Sequence, residues 1–358
     1  MNKHEFISLE QIRAMTLGFA VGDALGVPVE FAPREERDKD PVTGMRGNGT
    51  YKNLPAGTWS DDTSMTLATM ESIARVGNID YDDIMKNFVR WTDEAAFTAT
   101  DEVFDVGIAT SEALERYKKG VPAMDCGGTG ERDNGNGSLM RILPFAAWIC
   151  APDEMWVAEV DLLHEASALT HAHLRSQIAC EIYGTIAIYL MLGANRWLSL
   201  EAQSTAPHDC IEFALGEAEM DLCADADELN EVCEKLTGEP PIVAFDDTEK
   251  TREARETYAR LWTFCADDLP PRDEIKSSGY VVDTLEAVVW CLLSTDNYRD
   301  AVLTAVNLGS DTDTVAAITG GLAGLAYGLD AIPKEWLDTL KKRDDIEKIC
   351  LDFYNALE

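Results

Sequence analysis

Residues 309–327 read Gly-Ser-Asp-Thr-Asp-Thr-Val-Ala-Ala-Ile-Thr-Gly-Gly-Leu-Ala-Gly-Leu-Ala-Tyr. From Val315 onward the stretch is apolar or glycine on nearly every helical face. That composition marks a helix enclosed by others rather than one lying on a surface. The six residues before it, Gly309–Thr314, carry two carboxylates and three hydroxyls. Asp, Ser and Thr at a helix start ordinarily serve as caps, and a cap needs a single oxygen acceptor. Two carboxylates at the mouth of a buried helix are costly unless paired or metal-bound.

A second acidic motif stands about 250 residues earlier, Gly57-Thr58-Trp59-Ser60-Asp61-Asp62-Thr63, and opens a helix of its own from Ser64. If the two motifs meet in space, Asp61, Asp62, Asp311 and Asp313 bring four negative charges together. Two divalent cations balance them. An all-oxygen set of carboxylate and hydroxyl suits Mg²⁺ or Mn²⁺ rather than zinc. Such a centre can orient substrate oxygens and activate a water.

The rest of the chain repeats the helical pattern. Apolar residues recur at three- and four-residue spacing over 9–24, 64–76, 81–92, 106–119, 156–169, 174–192, 251–266, 284–294, 298–308 and 314–327. Period-two alternation is scarce, and Val281–Val282 is too brief to assign. The expectation is an all-α globule of ten or more helices, one domain over 1–358. An acidic insertion over about 203–256 (Glu217, Glu219, Asp221, Asp225, Asp227, Glu228, then Pro240–Pro241) is expected at its periphery.

Composition narrows the function. Thirty Lys and Arg stand against 65 Asp and Glu, a net charge of −35, and 46% of the residues are hydrophobic. So acidic a chain is repelled by phosphate backbones and anionic lipid, so neither nucleic acid nor a membrane is an expected partner. No run reaches the roughly 18 apolar residues of a membrane span, and residues 1–15 lack the apolar core of a signal peptide. The nine cysteines include no C-x-x-C pair, which reads as a reduced, cytoplasmic protein. The phosphate-binding loop, the dinucleotide fingerprint, the nucleophile elbow and the zinc-protease helix are all missing.

Seven motifs in order resemble the ADP-ribosylglycohydrolase family: 18–26 with Glu30; Ser60–Thr63; Phe104-Asp105-Val106-Gly107; Gly135-Asn136-Gly137-Ser138-Leu139-Met140-Arg141; Thr170-His171-Ala172-His173; 278–285; and Gly309–Thr314. The resemblance covers nearly the whole chain apart from the acidic insertion. It implies a compact multi-helix fold with a binuclear Mg²⁺ or Mn²⁺ centre in a central cleft. The ligands it implies are Ser60, Asp61, Asp62, Asp311, Asp313 and Thr314, with Ser60 standing where many members have Thr.

The same resemblance implies that Glu30 lies beside the metals and that Asp105 is a candidate acid/base. The two compete for the proton-transfer role. A glycine loop lets backbone N–H groups approach an anion closely. The resemblance places Gly135, Asn136, Gly137 and Ser138 at the diphosphate and distal ribose, and His171 near the phosphates. Tyr280 is expected to stack on adenine or line the cleft.

The implied reaction is hydrolysis of the bond between ADP-ribose and an acceptor, by a monomer acting on an ADP-ribosylated protein or small ADP-ribose conjugate. Phe104–Gly107 looks closer to the arginine-type bacterial enzyme, although Ile108 departs from the polar residue expected there. Other conjugates (serine-linked or O-acetyl-ADP-ribose), a non-catalytic ADP-ribose binder and a metal-dependent phosphohydrolase are the alternatives.

Overall fold

Helices form where the apolar periodicity places them. In the computed structural model, which describes residues 7–150, 161–192, 207–223 and 249–357, they run from Leu9–Gly26 to Arg343–Ala356. No strand occurs among the described residues, only two isolated bridges, Gly128 with His171 and Gly135 with Tyr280. Leu174–Leu192 and Tyr298–Val306 lie close to their expected positions. The 284–294 pattern starts earlier, at Val281, so Val281–Val282 is the first turn of a helix. The 251–266 pattern breaks after Thr257 into a separate turn at Leu261–Thr263. The break lets Tyr258 and Leu261 both turn inward, with the Tyr258 hydroxyl on the Arg175 carbonyl. Arg343–Ala356 extends the set, burying Ile346, Cys350 and Phe353 at helical spacing.

Two core helices, Leu9–Gly26 and Thr312–Tyr327, decide where the chemistry sits. They run antiparallel and meet backbone to backbone. Gly18, Gly22 and Gly26 are spaced by four, so they share one face of their helix. A β-carbon on Gly18 would lie 2.5 Å from the Gly320 carbonyl oxygen, and one on Gly22 would overlap that of Ala316. One on Gly26 would overlap the Asp313 backbone, and Gly324 abuts Ala14 in the same way. This contact fixes the register, and the end of the first helix arrives at the mouth of the last core helix.

Leu9–Val29 is, in fact, long and apolar enough to cross a membrane by length and composition, contrary to the sequence expectation. Its most apolar window is 94% buried inside the protein. The apolarity is that of a core helix packed on all sides.

Two parts of the acidic 203–256 stretch lie within the described residues. Pro207–Cys223 buries Ile211, Ala214, Leu215 and Ala218, packing against Leu174–Leu192, and Glu249–Thr257 buries Ala254. Both helices take part in the core packing, the first through apolar positions that recur at helical spacing beneath its acidic residues and the second through Ala254. Asp225, Asp227, Glu228 and Pro240–Pro241 lie outside the described residues.

Candidate active site

The helix Asp61–Val76 begins at Ser60, yet the Ser60 side chain makes no capping bond. The cap comes from another helix. The Asp23 carboxylate accepts from the backbone N–H of Ser60 (2.9 and 3.0 Å) and of Thr63 (3.1 Å). It also accepts from the hydroxyls of Ser60 (2.9 Å) and Thr63 (2.6 Å). Asp23 thus satisfies the helix start, and Asp61 and Asp62 are released from that duty. Asp311 likewise precedes its helix without a side-chain capping bond. The acids of both motifs project instead into a shared interior site.

Backbone bonds hold the approach to that site. Phe31 N–H donates to the Ser310 carbonyl at 2.7 Å and Ser310 N–H to that of Ala32 at 2.8 Å. Gly309 (φ 83°) and Ser310 (φ 64°) are left-handed to make this turn. The pairing sets Glu30 beside Asp311. The Thr312 hydroxyl donates to the Gly26 carbonyl at 2.9 Å.

Oxygen ligand atoms converge in two groups, Asp23–Asp62–Asp313 and Glu30–Asp311–Asp313, each within 4.8 Å. Asp313 belongs to both. Asp62 accepts from the hydroxyls of Ser60 (3.0 Å) and Thr314 (3.3 Å). Asp313 accepts from the Thr314 N–H at 3.0 Å. Three buried oxygens have no partner at all: Glu30 Oε2, Asp62 Oδ1 and Asp313 Oδ2. Asp61 is buried and faces Asp105 most strongly, but it belongs to neither group.

Every carboxyl here is pushed upward. Burial is the main cause for all of them, and repulsion from neighbouring acids adds to it for most. Asp61, Asp62 and Asp313 rise well above the usual range, and Asp105 and Asp311 rise as well. Glu30 is pushed up to about 9, chiefly by burial and then by Asp105, and Asp23 to about 6 by burial. Unpartnered buried oxygens in a mutually repelling, all-oxygen cluster fit hard divalent cations, which supply the missing charge.

Asp105 sits in a left-handed backbone (φ 53°), half-buried, with Tyr51, Glu30 and Asp313 as its polar neighbours. Glu30 and Asp105 are neighbouring acids: burial raises both, and the Asp105 charge raises Glu30 further. The Tyr51 ring packs on Phe104 with centroids 4.9 Å apart. Tyr51 carried no sequence signal, since it lies in a loop. Asp23 did carry one, being the single charged residue within 14–26.

The glycine loop lies beside this cluster. Asn136 donates through its amide to Asp311 (2.6 Å) and Thr284 (2.9 Å), so its side chain holds an acid in place. Ser138 points inward, where its hydroxyl accepts from Ser167 at 2.9 Å. The N–H groups of Gly137 and Ser138 make no backbone hydrogen bond among the described residues. Gly135 pairs with Tyr280, which is half-buried beneath the Arg175 guanidinium, 6.0 Å from the ring centre. His171 is buried with its ring edge against Gly135 and Gly137, whereas His173 faces Glu131 at 3.5 Å. Ile108, on the rim beyond Asp105, is 81% exposed.

An all-helical fold that gathers distant carboxylates around orphaned oxygens, beside a glycine loop suited to an anion, fits a hydrolase whose acidic cluster can hold metal. The chain belongs to the ADP-ribosylglycohydrolase family, which it matches over residues 6–358, and it is an enzyme that hydrolyses the glycosidic bond of ADP-ribose. It is 34% identical to the ADP-ribosylarginine hydrolase Tri1 of Serratia proteamaculans, over 98% of this chain and 81% of that one. It is 28% identical to the ADP-ribosyl-[dinitrogen reductase] glycohydrolase of Rhodospirillum rubrum, over 92% of this chain and 90% of that one. A solved structure described as an ADP-ribosylglycohydrolase-related protein complex superposes with a TM-score of 0.70 at 29% identity, covering 98% of this chain and 99% of its own.

Proposed function

We propose that the enzyme removes ADP-ribose from modified arginine side chains with the help of two Mg²⁺ or Mn²⁺ ions. The observation that carries the metal count is Asp313, whose carboxylate is shared by two converging groups of acids with orphaned oxygens. Ser60, Asp61, Asp62, Asp311, Asp313 and Thr314 are the residues that would hold the ions, with Asp23 bracing the first motif and Glu30 closing the second group. When bound, the ions supply charge that anchors the ribose hydroxyls and a water.

The remaining work belongs to the chain. Breaking the glycosidic bond builds positive charge on the anomeric carbon, and the surrounding carboxylates favour that charge. The Glu30–Asp105 pair handles the proton. Its protonated member donates to the leaving nitrogen and its ionised member takes a proton from the attacking water. Tyr51 lies beside both carboxyls and favours their ionised forms. The Gly135–Ser138 loop, with free N–H groups, receives the diphosphate. The arginine acceptor is supported by the Tri1 relative and by the Phe104–Gly107 stretch.

The test is release of free ADP-ribose from ADP-ribosyl-arginine, with an ADP-ribosyl-serine peptide in parallel, in Mg²⁺, in Mn²⁺ and in chelator. Metal-dependent release, faster from arginine and abolished in Asp61→Ala and Asp313→Ala, is the expected result. Faster release from serine overturns the acceptor, and AMP as product overturns glycosidic cleavage. Near-normal turnover in either variant overturns the metal site.

A further inference from the structure

Behind the glycine loop lies a buried chain of three polar side chains that the reaction above does not use. Arg141 is 0% exposed, and its guanidinium sits over the Phe88 ring, 5.1 Å from the centroid. Its Nη2 donates to the Thr170 hydroxyl at 2.8 Å, while Nε and Nη1 have no partner. No carboxylate pairs with it among the described residues, an expensive arrangement for a cation. The Thr170 hydroxyl is also 2.8 Å from His171 Nδ1.

The hydrogens along this chain can be assigned by counting. A guanidinium only donates, so Thr170 Oγ1 accepts from Arg141. The hydroxyl has one hydrogen of its own, and His171 Nδ1 is the one acceptor the structure gives it. A proton on Nδ1 would leave that hydroxyl hydrogen unpaired in a fully buried site, which is costly. The ring proton therefore belongs on Nε2. Burial and the Arg141 charge disfavour a second proton, and hold His171 down to about 3.

The Nε2 edge points to the loop. A β-carbon on Gly137 would lie 3.4 Å from Nε2 and 2.9 Å from Cε1, and one on Gly135 would lie 3.5 Å from Nε2. The ring is buried, and the two glycines keep the space beside Nε2 free of a β-carbon.

We propose that Arg141 is a positioning residue: through Thr170 it locks His171 as the neutral Nε2–H tautomer, so that the glycine loop presents one fixed donor to an anionic oxygen of the ADP-ribose diphosphate. This rests on the substrate reading above. The unpaired guanidinium also gives this end of the cleft a positive potential, in a chain of net charge −35 that must bind an anion.

The test is a long-range ¹H–¹⁵N correlation spectrum of the full chain with ¹⁵N-labelled histidine, His171 being identified by the signal missing from His171→Gln. The unmodified protein is expected to carry the proton on Nε2. Thr170→Val is expected to lose that pattern, and Thr170→Ser, which keeps the hydroxyl, to retain it. In calorimetry Thr170→Val is expected to weaken ADP-ribose binding about tenfold, the worth of one well-placed hydrogen bond, with recovery in Thr170→Ser. A proton on Nδ1 in the unmodified chain overturns the relay whatever the variants do. The Nε2–H pattern persisting in a folded Thr170→Val also overturns it. An intact relay with unchanged ADP-ribose affinity in Thr170→Val overturns its role at the substrate. If the unmodified protein binds no ADP-ribose, the substrate reading fails while the tautomer result stands on its own.

Discussion

Replacing Asp313 with Asn should make the metal-free protein more stable while destroying its activity. Asp313 is 1% exposed, and its Oδ1 accepts from the Thr314 N–H at 3.0 Å. Asn keeps that acceptor. Its amide nitrogen would replace Oδ2, the orphaned atom repelled by Glu30, Asp62 and Asp311. An unsatisfied buried acceptor costs about 1–3 kcal/mol, and the new N–H groups would find carboxylates to donate to. The gain in chelator should therefore be about 1–3 kcal/mol. In a chain of 358 residues that is a rise in Tm of about 1–4 °C, at roughly 1.3 °C per kcal/mol.

Metal reverses the order. Mg²⁺ at about 100 times its Kd adds about 2.7 kcal/mol to the parent, and the Asp313→Asn variant should forfeit most of that. Thermal unfolding of both proteins across a Mg²⁺ titration measures both quantities. A variant less stable than the parent in chelator would refute the claim that the cluster is strained by its own charge. A full Mg²⁺ response in the variant would refute Asp313 as the shared ligand.

Three further outcomes follow from the same geometry. Asp23→Ala should act in the opposite direction and lower stability by about 2–4 kcal/mol in urea unfolding, because it strips the cap and two hydroxyl partners from one helix start; an unchanged midpoint would refute its bracing role. Gly22→Ala should cost about 3 kcal/mol or more, since its β-carbon meets the Ala316 carbonyl, whereas Gly216→Ala, with nothing within 4 Å, should gain about 0.5–1 kcal/mol; equal effects would sink the backbone-contact argument. Stability in chelator should fall as pH climbs from about 4, because a carboxyl raised by folding favours the folded state only while it is protonated; the loss runs through about 6 for Asp23 and about 9 for Glu30, and Mg²⁺ should flatten it. Surface acids held low by cations, such as Asp82 beside Lys86, add stability that is present above about 4 and lost only as pH falls below it, so they do not reverse the trend.

Much of the site was legible because its signals are local. The helical period is a property of neighbours three and four apart, so the pattern over 174–192 coincides with its helix. The two acidic motifs stood out because each offers more carboxylates than a cap can use. Gly18, Gly22 and Gly26 share one helical face, but only the packed structure shows that this face meets another backbone. Sequence pattern misjudged the apolar length of the first helix and the acidic stretch, where charge on one face concealed burial on the other.

What the sequence determined by itself was an all-helical protein with two surplus-acid helix starts and an ordered set of family motifs. Only the tertiary structure decided which acid caps, which are left orphaned and which lie side by side. Asp23 and Asp61 are both acids of the motifs, but one is consumed by four hydrogen-bond donors and the other faces Asp105. Asn136 holds Asp311 from 175 residues away, and Tyr51 reaches Glu30 and Asp105 from a loop without periodicity. These assignments arise from the register of two antiparallel helices whose glycines let their backbones touch. A side chain's desolvation and partners depend on what that packing brings near, and no local pattern encodes it.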